Sequence, residues 1–523
     1  MQNRRQLLFG CDARSLAVFR IGIAVLVFVD VCVRFGAADS FYSSGGFLNA
    51  DLAQYVSPDG YSLSYLSDSV GFQQSIFLVL AGFAVLLGVG CFTRVATFGC
   101  WILLASIHVR NPFFLIGGDT LLRMMLFWSL FIPLGKMWSV DQWRRNTDDS
   151  QNGLGAVAGS VVCSVGTACL LMQVSLMYLT AGLSKWNAPW FDGTAMEYIF
   201  RLDCYSRPLS AWVLQFPTLV SLLTRSTLVI ELLFPLVIFL PFRTAQLRLA
   251  MIAVFWAFHI GIDLTMDVGK FTYVSMVAWL PFLPSLFWNR FSWTKCQQNN
   301  DETRRAECAG EAPWVKRRIR QAGLVVVPAI LFGYVVIWNF AGLFGGPGAT
   351  WRETKPDLFY RIGDAAMLKQ NFQMFCIPPR ANTTYLFSGR TMNGEWVDLV
   401  RHQPARETRP GAAVPAAREW RTLHWHLISF REDPKVCESL LEYHSRVWNR
   451  TAQPDQVVRE ARLERFVEDI GPGIARGSFV HVRNLAEWKD PNQAEASNDQ
   501  LQQDFDRLMN QMENGGLFPL GTD

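Results

Sequence analysis

Residues 15–343 hold a succession of apolar runs, and these constrain the fold more than any other feature of the chain. A helix needs about 20 mostly apolar residues to cross the hydrocarbon core of a bilayer. The segments 15–33, 74–92, 95–109, 119–134, 159–184, 217–241, 249–266, 271–288 and 322–343 meet or approach that length. The third and fourth are short, which suits tilted or partly re-entrant helices. Beyond them, runs such as TTYLFSG, EWVDLVR and LHWHLISF alternate with period two, the pattern of strands. The expected fold is an all-α polytopic membrane protein of about nine transmembrane helices with a β-rich C-terminal extramembrane domain. The expected boundaries are 1–345 for the transmembrane domain, 346–490 for the β-rich domain and 491–523 for a polar, flexible tail.

Charge distribution orients this chain. Only 18% of the residues are charged and the net charge is +4, so there is no basic footprint for nucleic acid. With the N-terminus inside, the cytoplasmic loops collect Arg4, Arg5, Arg14, Arg94, Lys136, Arg144, Arg145, Arg243 and Arg248. The last such loop, 289–321, adds eight more, from Arg290 to Arg320, whereas loop 35–73 has no Lys or Arg. This is the positive-inside bias. It puts the C-terminal domain outside the cytoplasm, with a bacterial inner membrane as the expected location. The N-terminal apolar run carries Arg20 and Asp30 and has no small-residue cleavage site, so it reads as a retained first helix.

The non-cytoplasmic loops 35–73 and 186–216 are rich in aromatic residues, Gly and Pro, and are expected to fold over the mouth of the bundle. Of the eleven cysteines, Cys376 and Cys437 alone fall in the C-terminal region; in an oxidising compartment they could pair. The strand HWH puts His424 and His426 on one face as a metal half-site without partners, and no metal is expected. GPGIARG (471–477) lacks the strand–loop–helix context of a phosphate loop.

Ionisable groups at membrane depth are expensive and usually face a partner or a cavity. They are Arg20, Asp30, Asp119, Arg123, Lys185, Glu231, His259 and Asp263. Asp119/Arg123 and His259/Asp263 are spaced i, i+4, which puts each pair on one helix face. The first is expected to be an intramembrane ion pair. His259 is either a packing hydrogen-bonder or a proton-handling group held by Asp263. Lys185 ends the run 159–184 and is followed by Trp186, Pro189, Trp190 and Asp192. Such a lysine either snorkels to the interface or, desolvated, serves as a general base.

The stretch AGLSKWNAPWFDGTAMEYIF (181–200) resembles the vitamin K-dependent γ-glutamyl carboxylases. In these a lysine closing a membrane helix precedes a Trp segment, an acidic-Gly pair and Met-Glu-Tyr. MWSVD (137–141) and FHIGIDLTMDVGKFTYVSMV (258–277) are similar to further segments of that family. CDARSLAVFRIGIAVLVFVDV, RNPFFLIGGDTLLRMM and FYSSGGFLN resemble the wider group of horizontally transferred transmembrane (HTTM) domain proteins. The resemblance covers about residues 10–290. It implies that Lys185 is the catalytic base toward reduced vitamin K or another quinol, with O2 and CO2 as co-substrates. A peptide glutamate of a secreted protein would then be carboxylated. His259, Asp263, Trp186, Trp190 and Asp192 would support the site. Two departures stand out: Ser184 replaces the first of two adjacent lysines, and the position before Trp-Ser-Val-Asp lacks the family's histidine. A non-enzymatic maturation or immunity factor, and a transporter using Asp119, Arg123, Glu231 and His259, are the alternative functions.

Overall fold

The computed structural model describes residues 4–151, 161–291, 314–341, 343, 356–405, 432–473 and 479–490. The HWH histidines and the tail from 491 lie outside them. The chain forms two compact units, Met1–Asn382 with Ile470–Arg476, and Thr383–Asp469 with Gly477–Asp523.

Each of the nine apolar segments is helical over at least part of its length. The helices are α1 (Ala13–Gly36), α2 (Val70–Val89), α3 (Thr93–Arg110), α4 (Gly117–Ser129), α5 (Val165–Ser184), α6 (Pro217–Val237), α7 (Thr244–Thr265), α8 (Phe271–Ala278) and α9 (Trp314–Ala341). Among the described residues, six are long and apolar enough to cross a membrane: α1, α2, α5, α6, α7 and Gly323–Ala341 of α9. The other three of the nine expected spans, α3, α4 and α8, fall short of that length or composition. α4 has only thirteen residues and α8 eight, too few at 1.5 Å per residue for a bilayer core. α3 carries Arg94, His108 and Arg110. The fold is that of a multi-pass membrane protein.

A short antiparallel clasp fixes the direction of the helices. β1 (Cys11–Asp12) pairs with β2 (Val161–Val162) immediately before α1 and α5. Both helices therefore start at the same end and run the same way. Asp12 caps α1, its carboxylate accepting the Arg14 amide at 2.8 Å, and Ser164 caps α5 through Thr167. Lys185, at the far end of α5, is thereby brought to the end of the bundle where α1 finishes.

At the clasp end, Arg20 is fully buried and spends its guanidinium on backbone. Its Nη1 donates to Leu134 O and Met137 O at 3.2 Å, and its Nη2 to Trp138 O at 2.6 Å. Gly90 ends α2 in the left-handed region, φ +71°. A Cβ there would come within 2.4 Å of Ser139 Cβ and 2.7 Å of Arg20 Nη1, so only glycine admits this clamp. Asp141 then binds the Phe92 and Thr93 amides. The MWSVD segment is thus a structural clamp at the opposite end from Lys185, and Lys136 beside it is exposed.

Loop 35–73 is ordered by short helices at Ala38–Tyr42 and Ala50–Val56 and a tight turn at Leu63–Leu66. Buried Arg110 holds it through Tyr42 O at 3.0 Å and Asp68 Oδ1 at 2.7 Å. Loop 186–216 folds as three short helices, Ala188–Phe191, Ala195–Phe200 and Pro208–Val213. Trp190, Ala195, Ile199, Phe200 and Val213 of this loop make an apolar cluster with Val220 and Leu228 of α6.

The second unit contains a five-stranded sheet in the order β5-β4-β3-β6-β7: β3 is Ala381–Thr391, β4 Trp396–Asp398, β5 Gln403–Pro404, β6 Val458–Asp469 and β7 Phe479–Lys489. Helix Pro434–Asn449 packs on β6 and β7. RLERFVED (462–469) lies within β6, whereas DLFYRIGDA is a helix of the first unit.

Cys376 and Cys437, for which sequence left pairing open, belong to different units and both are free thiols. Burial, reinforced by Glu432, pushes the Cys437 thiol up to about 12. A thiolate is the reactive form, and at that value almost none is present near pH 8. Iodoacetamide at pH 8 is expected to label half-buried Cys376 and spare Cys437 in the folded protein. A Cys376–Cys437 cross-link in a non-reduced peptide map would contradict this.

Candidate functional site

Lys185 is the C-cap of α5, and its amide bonds back to Gly182 O at 3.1 Å. Its side chain is 5% exposed and does not reach toward solvent. Nζ instead donates to Glu231 Oε2 of α6 at 2.8 Å and to Ala181 O at 3.3 Å. Gly182 makes this approach possible. A Cβ on it would lie 2.9 Å from Leu232 Cδ2 and 3.1 Å from Glu231 Cβ, so only glycine lets α5 and α6 meet this closely. The indole of Trp190 lies 5.3 Å from Nζ, within cation–π range, and is 1% exposed.

A strap from Met367 to Cys376 closes over these groups. Asn187 Nδ2 donates to Cys376 O at 2.8 Å, and Trp190 Nε1 to Phe375 O and Cys376 O at 3.1 and 3.2 Å. Trp338 Nε1 and Arg123 Nη2 hold the same strap at Gln370 O and Lys369 O.

Two turns back on the same face of α5 is Tyr178, spaced seven residues from Lys185. Its Oη sits 2.6 Å from His259 Nε2 of α7 and accepts Trp279 Nε1 at 3.1 Å. Glu231 is within electrostatic reach of Tyr178. Aromatic rings pack around them: Phe255 stacks on Trp279 at 4.1 Å, and Phe271 meets His259 edge-on at 5.6 Å.

The other predicted residues fall elsewhere. Asp263 does not hold His259; it faces Arg207 at 3.4 Å and Tyr273 Oη at 3.3 Å. The i, i+4 spacing put both on one face, but the imidazole turns inward to α5 and the carboxylate to the loop side. Trp186 is 67% exposed against Phe191, and Asp192 is exposed, so neither lines the site. Asp119 and Arg123 do not form the expected ion pair. Asp119 instead meets Arg34 at 2.7 Å and Lys270 at 2.6 Å, and Asp30 binds the same two cations. These better-placed cations outcompete Arg123. His108 Nε2 stands 3.3 Å from Asp119. Asp30, His108 and Asp119 present three ligand-type atoms within 4.8 Å of one another. Two carboxylates are already matched there by two internal cations, which leaves no charge for a metal ion to neutralise.

An apolar helical domain carrying these segments in this order is matched over residues 10–288 by the HTTM domain. The chain belongs to the HTTM domain family. No curated relative and no solved structure matches it, so the likeness to the carboxylases rests on the quoted segments alone.

Within this HTTM protein, sequence reading assigned Glu231 only to a transport path and did not single out Tyr178. Both left signals. Glu231 is the single carboxylate of α6, and Tyr178 is in helical phase with Lys185. What no sequence signal supplied was the contact of α5 with α6 at Gly182.

Removing one partner of a buried ion pair typically costs about 3–5 kcal/mol, whereas replacing both by apolar residues is often neutral. Glu231→Ala is therefore expected to lower the detergent-solubilised melting temperature clearly, and the double change Lys185→Met/Glu231→Leu to restore it. A melt in which Glu231→Ala matches wild type would show the pair carries no stability.

Proposed function

We propose that this HTTM protein is a membrane enzyme that oxidises a quinol, with Lys185 as the base and Glu231 as its proton partner. The carrying observation is the buried Lys185–Glu231 pair at 2.8 Å beneath Trp190. A snorkelling lysine would spend its ammonium on headgroups; this one spends it on a carboxylate between two helices.

The residues do the following work. With the shared proton on Glu231 Oε2, both partners are uncharged and Nζ presents a lone pair to an acidic O–H. When Nζ takes that proton, the Trp190 ring face stabilises the resulting ammonium. Trp190, Asn187 and the Phe375–Cys376 strap keep water from the site, which protects a strong base from quenching. The surroundings suit a flat aromatic head group: Trp279, Phe255 and Phe271 supply ring faces and edges, and His259 Nδ1 is a buried polar atom without a partner among the described residues. Reduced vitamin K or another quinol would bring the acidic hydroxyl and, with O2, an oxidisable ring; carboxylation of a peptide glutamate by CO2 is the coupled outcome. The positive-inside bias supports a site facing the non-cytoplasmic leaflet.

A transporter reading draws less support. The polar groups fall into separate, internally matched sets: Asp30, Arg34, Asp119 and Lys270; Lys185 and Glu231; and Arg20 on carbonyls. A maturation or immunity factor would need none of this proton-handling geometry.

Purified protein supplied with reduced vitamin K, O2 and labelled bicarbonate is expected to form quinone epoxide. Loss of a positioned base costs about 10²–10⁴-fold, so Lys185→Ala should fall by at least a hundredfold. No epoxide from wild type, or equal epoxide from Lys185→Ala, would sink the proposal. Label in peptide glutamate separates carboxylation from quinol oxidation alone.

A further inference from the structure

His259 is 0% exposed, and its two ring nitrogens are treated differently. Nε2 meets Tyr178 Oη at 2.6 Å; Nδ1 has no hydrogen-bond partner among the described residues. The proton positions follow from the donors. Trp279 Nε1 can only donate, and it donates to Tyr178 Oη. The tyrosine keeps its own proton to give. A separation of 2.6 Å is ordinary for an O–H donor and short of the usual N–H···O range of about 2.7–3.2 Å. Taking Tyr178 as the donor makes Nε2 the acceptor. A neutral imidazole with a bare Nε2 carries its hydrogen on Nδ1.

That leaves a buried N–H donor with no acceptor among the described residues. Buried donors are paired in more than about 90% of cases, so an unpaired one is a place where a water or a ligand oxygen can be received. The walls around it are rings: Phe258 lies 5.3 Å and Phe271 5.6 Å from the imidazole centre. A carbonyl oxygen on a flat ring suits this setting, because ring edges and faces pack against aromatics and the oxygen accepts the hydrogen bond.

We propose that His259 binds the head group of the quinone–quinol substrate by donating Nδ1–H to its ring oxygen, and that Tyr178 is the positioning residue that fixes this tautomer. The inference rests on the quinol reading of the neighbouring Lys185–Glu231 pair. It adds a recognition contact on a different helix and leaves the base unchanged. The arrangement follows a general rule: the hydrogen bond to one imidazole nitrogen decides what the other can do.

The test uses the full chain in lipid nanodiscs with menadione as the probe. Nitrogen-15 NMR of labelled histidine, with the His259 signals identified by their loss in His259→Gln, is expected to show a protonated Nδ1 that shifts when menadione is added. His259→Gln keeps a polar group toward Tyr178 but loses the donor, and should weaken menadione binding roughly tenfold. His259→Asn places an amide N–H near the Nδ1 position and should bind within about threefold of wild type. Tyr178→Phe should mix the two tautomers, which a merely structural tyrosine would not do. The proposal is overturned by a protonated Nε2 in wild type, or by menadione binding equally to wild type and His259→Gln. If His259→Gln does not fold, the wild-type tautomer and its response to menadione decide. Failure of wild type to bind menadione ends the quinol reading and this inference with it, whereas binding without His259 involvement ends this inference alone.

Discussion

Two carboxylates and two cations hold one end of this bundle. Asp30 and Arg34 come from α1, Asp119 from the start of α4, and Lys270 from the residue before α8. Each charge is nearly removed from solvent, so none can lose its partner without leaving an uncompensated ion in a medium of low dielectric. The set therefore fixes three helices at once. Arg34 also donates to Tyr42 Oη at 2.8 Å, which ties in the loop that follows α1. α8 is too short to be placed by membrane depth, yet it carries Phe271 and leads into Trp279, both of which flank the Tyr178–His259 pair. The aromatic walls of the candidate site owe their position to this charge set, although none of its four members touches Lys185 or His259 in the described hydrogen bonds.

Much of the architecture was legible in the sequence because membranes impose a strong rule: apolar length becomes helix. All nine apolar segments are helical over at least part of their length, and period-two alternation marked β3 and β4, while LHWHLISF lies outside the described residues. The rule says less about which helices cross. α4 and α8 are apolar but short, and hydropathy does not distinguish a spanning helix from one packed inside the bundle. Loops 35–73 and 186–216 were legible as ordered from their aromatic content, but not the short helices into which they fold.

The candidate site was legible at one residue and obscure around it. Lys185 stood out as a cation closing an apolar run. Its partner, Glu231, lies 46 positions away on another helix, and helix-to-helix register has no local sequence signature. The i, i+4 rule gave two intra-helix pairs, and in both the real partners come from other elements. That rule holds for isolated helices in water, where a neighbour on the same face is the only one on offer. In a packed bundle, Arg34 and Lys270 reach Asp119 with better geometry, and Tyr178 reaches His259 before Asp263 can.

The seven-residue spacing between Tyr178 and Lys185 has a consequence for how such a chain can change. An α-helix turns about 100° per residue, so one inserted residue between them would swing the two side chains onto different faces. The run would remain as apolar, as long and as helical as before, and would insert into a membrane equally well. Its lysine would then meet lipid or another helix instead of Glu231. What this helix has to conserve is phase, a property that neither hydropathy nor residue content records, and sequences in this family that look alike by both measures can differ in whether the lysine has a carboxylate to meet.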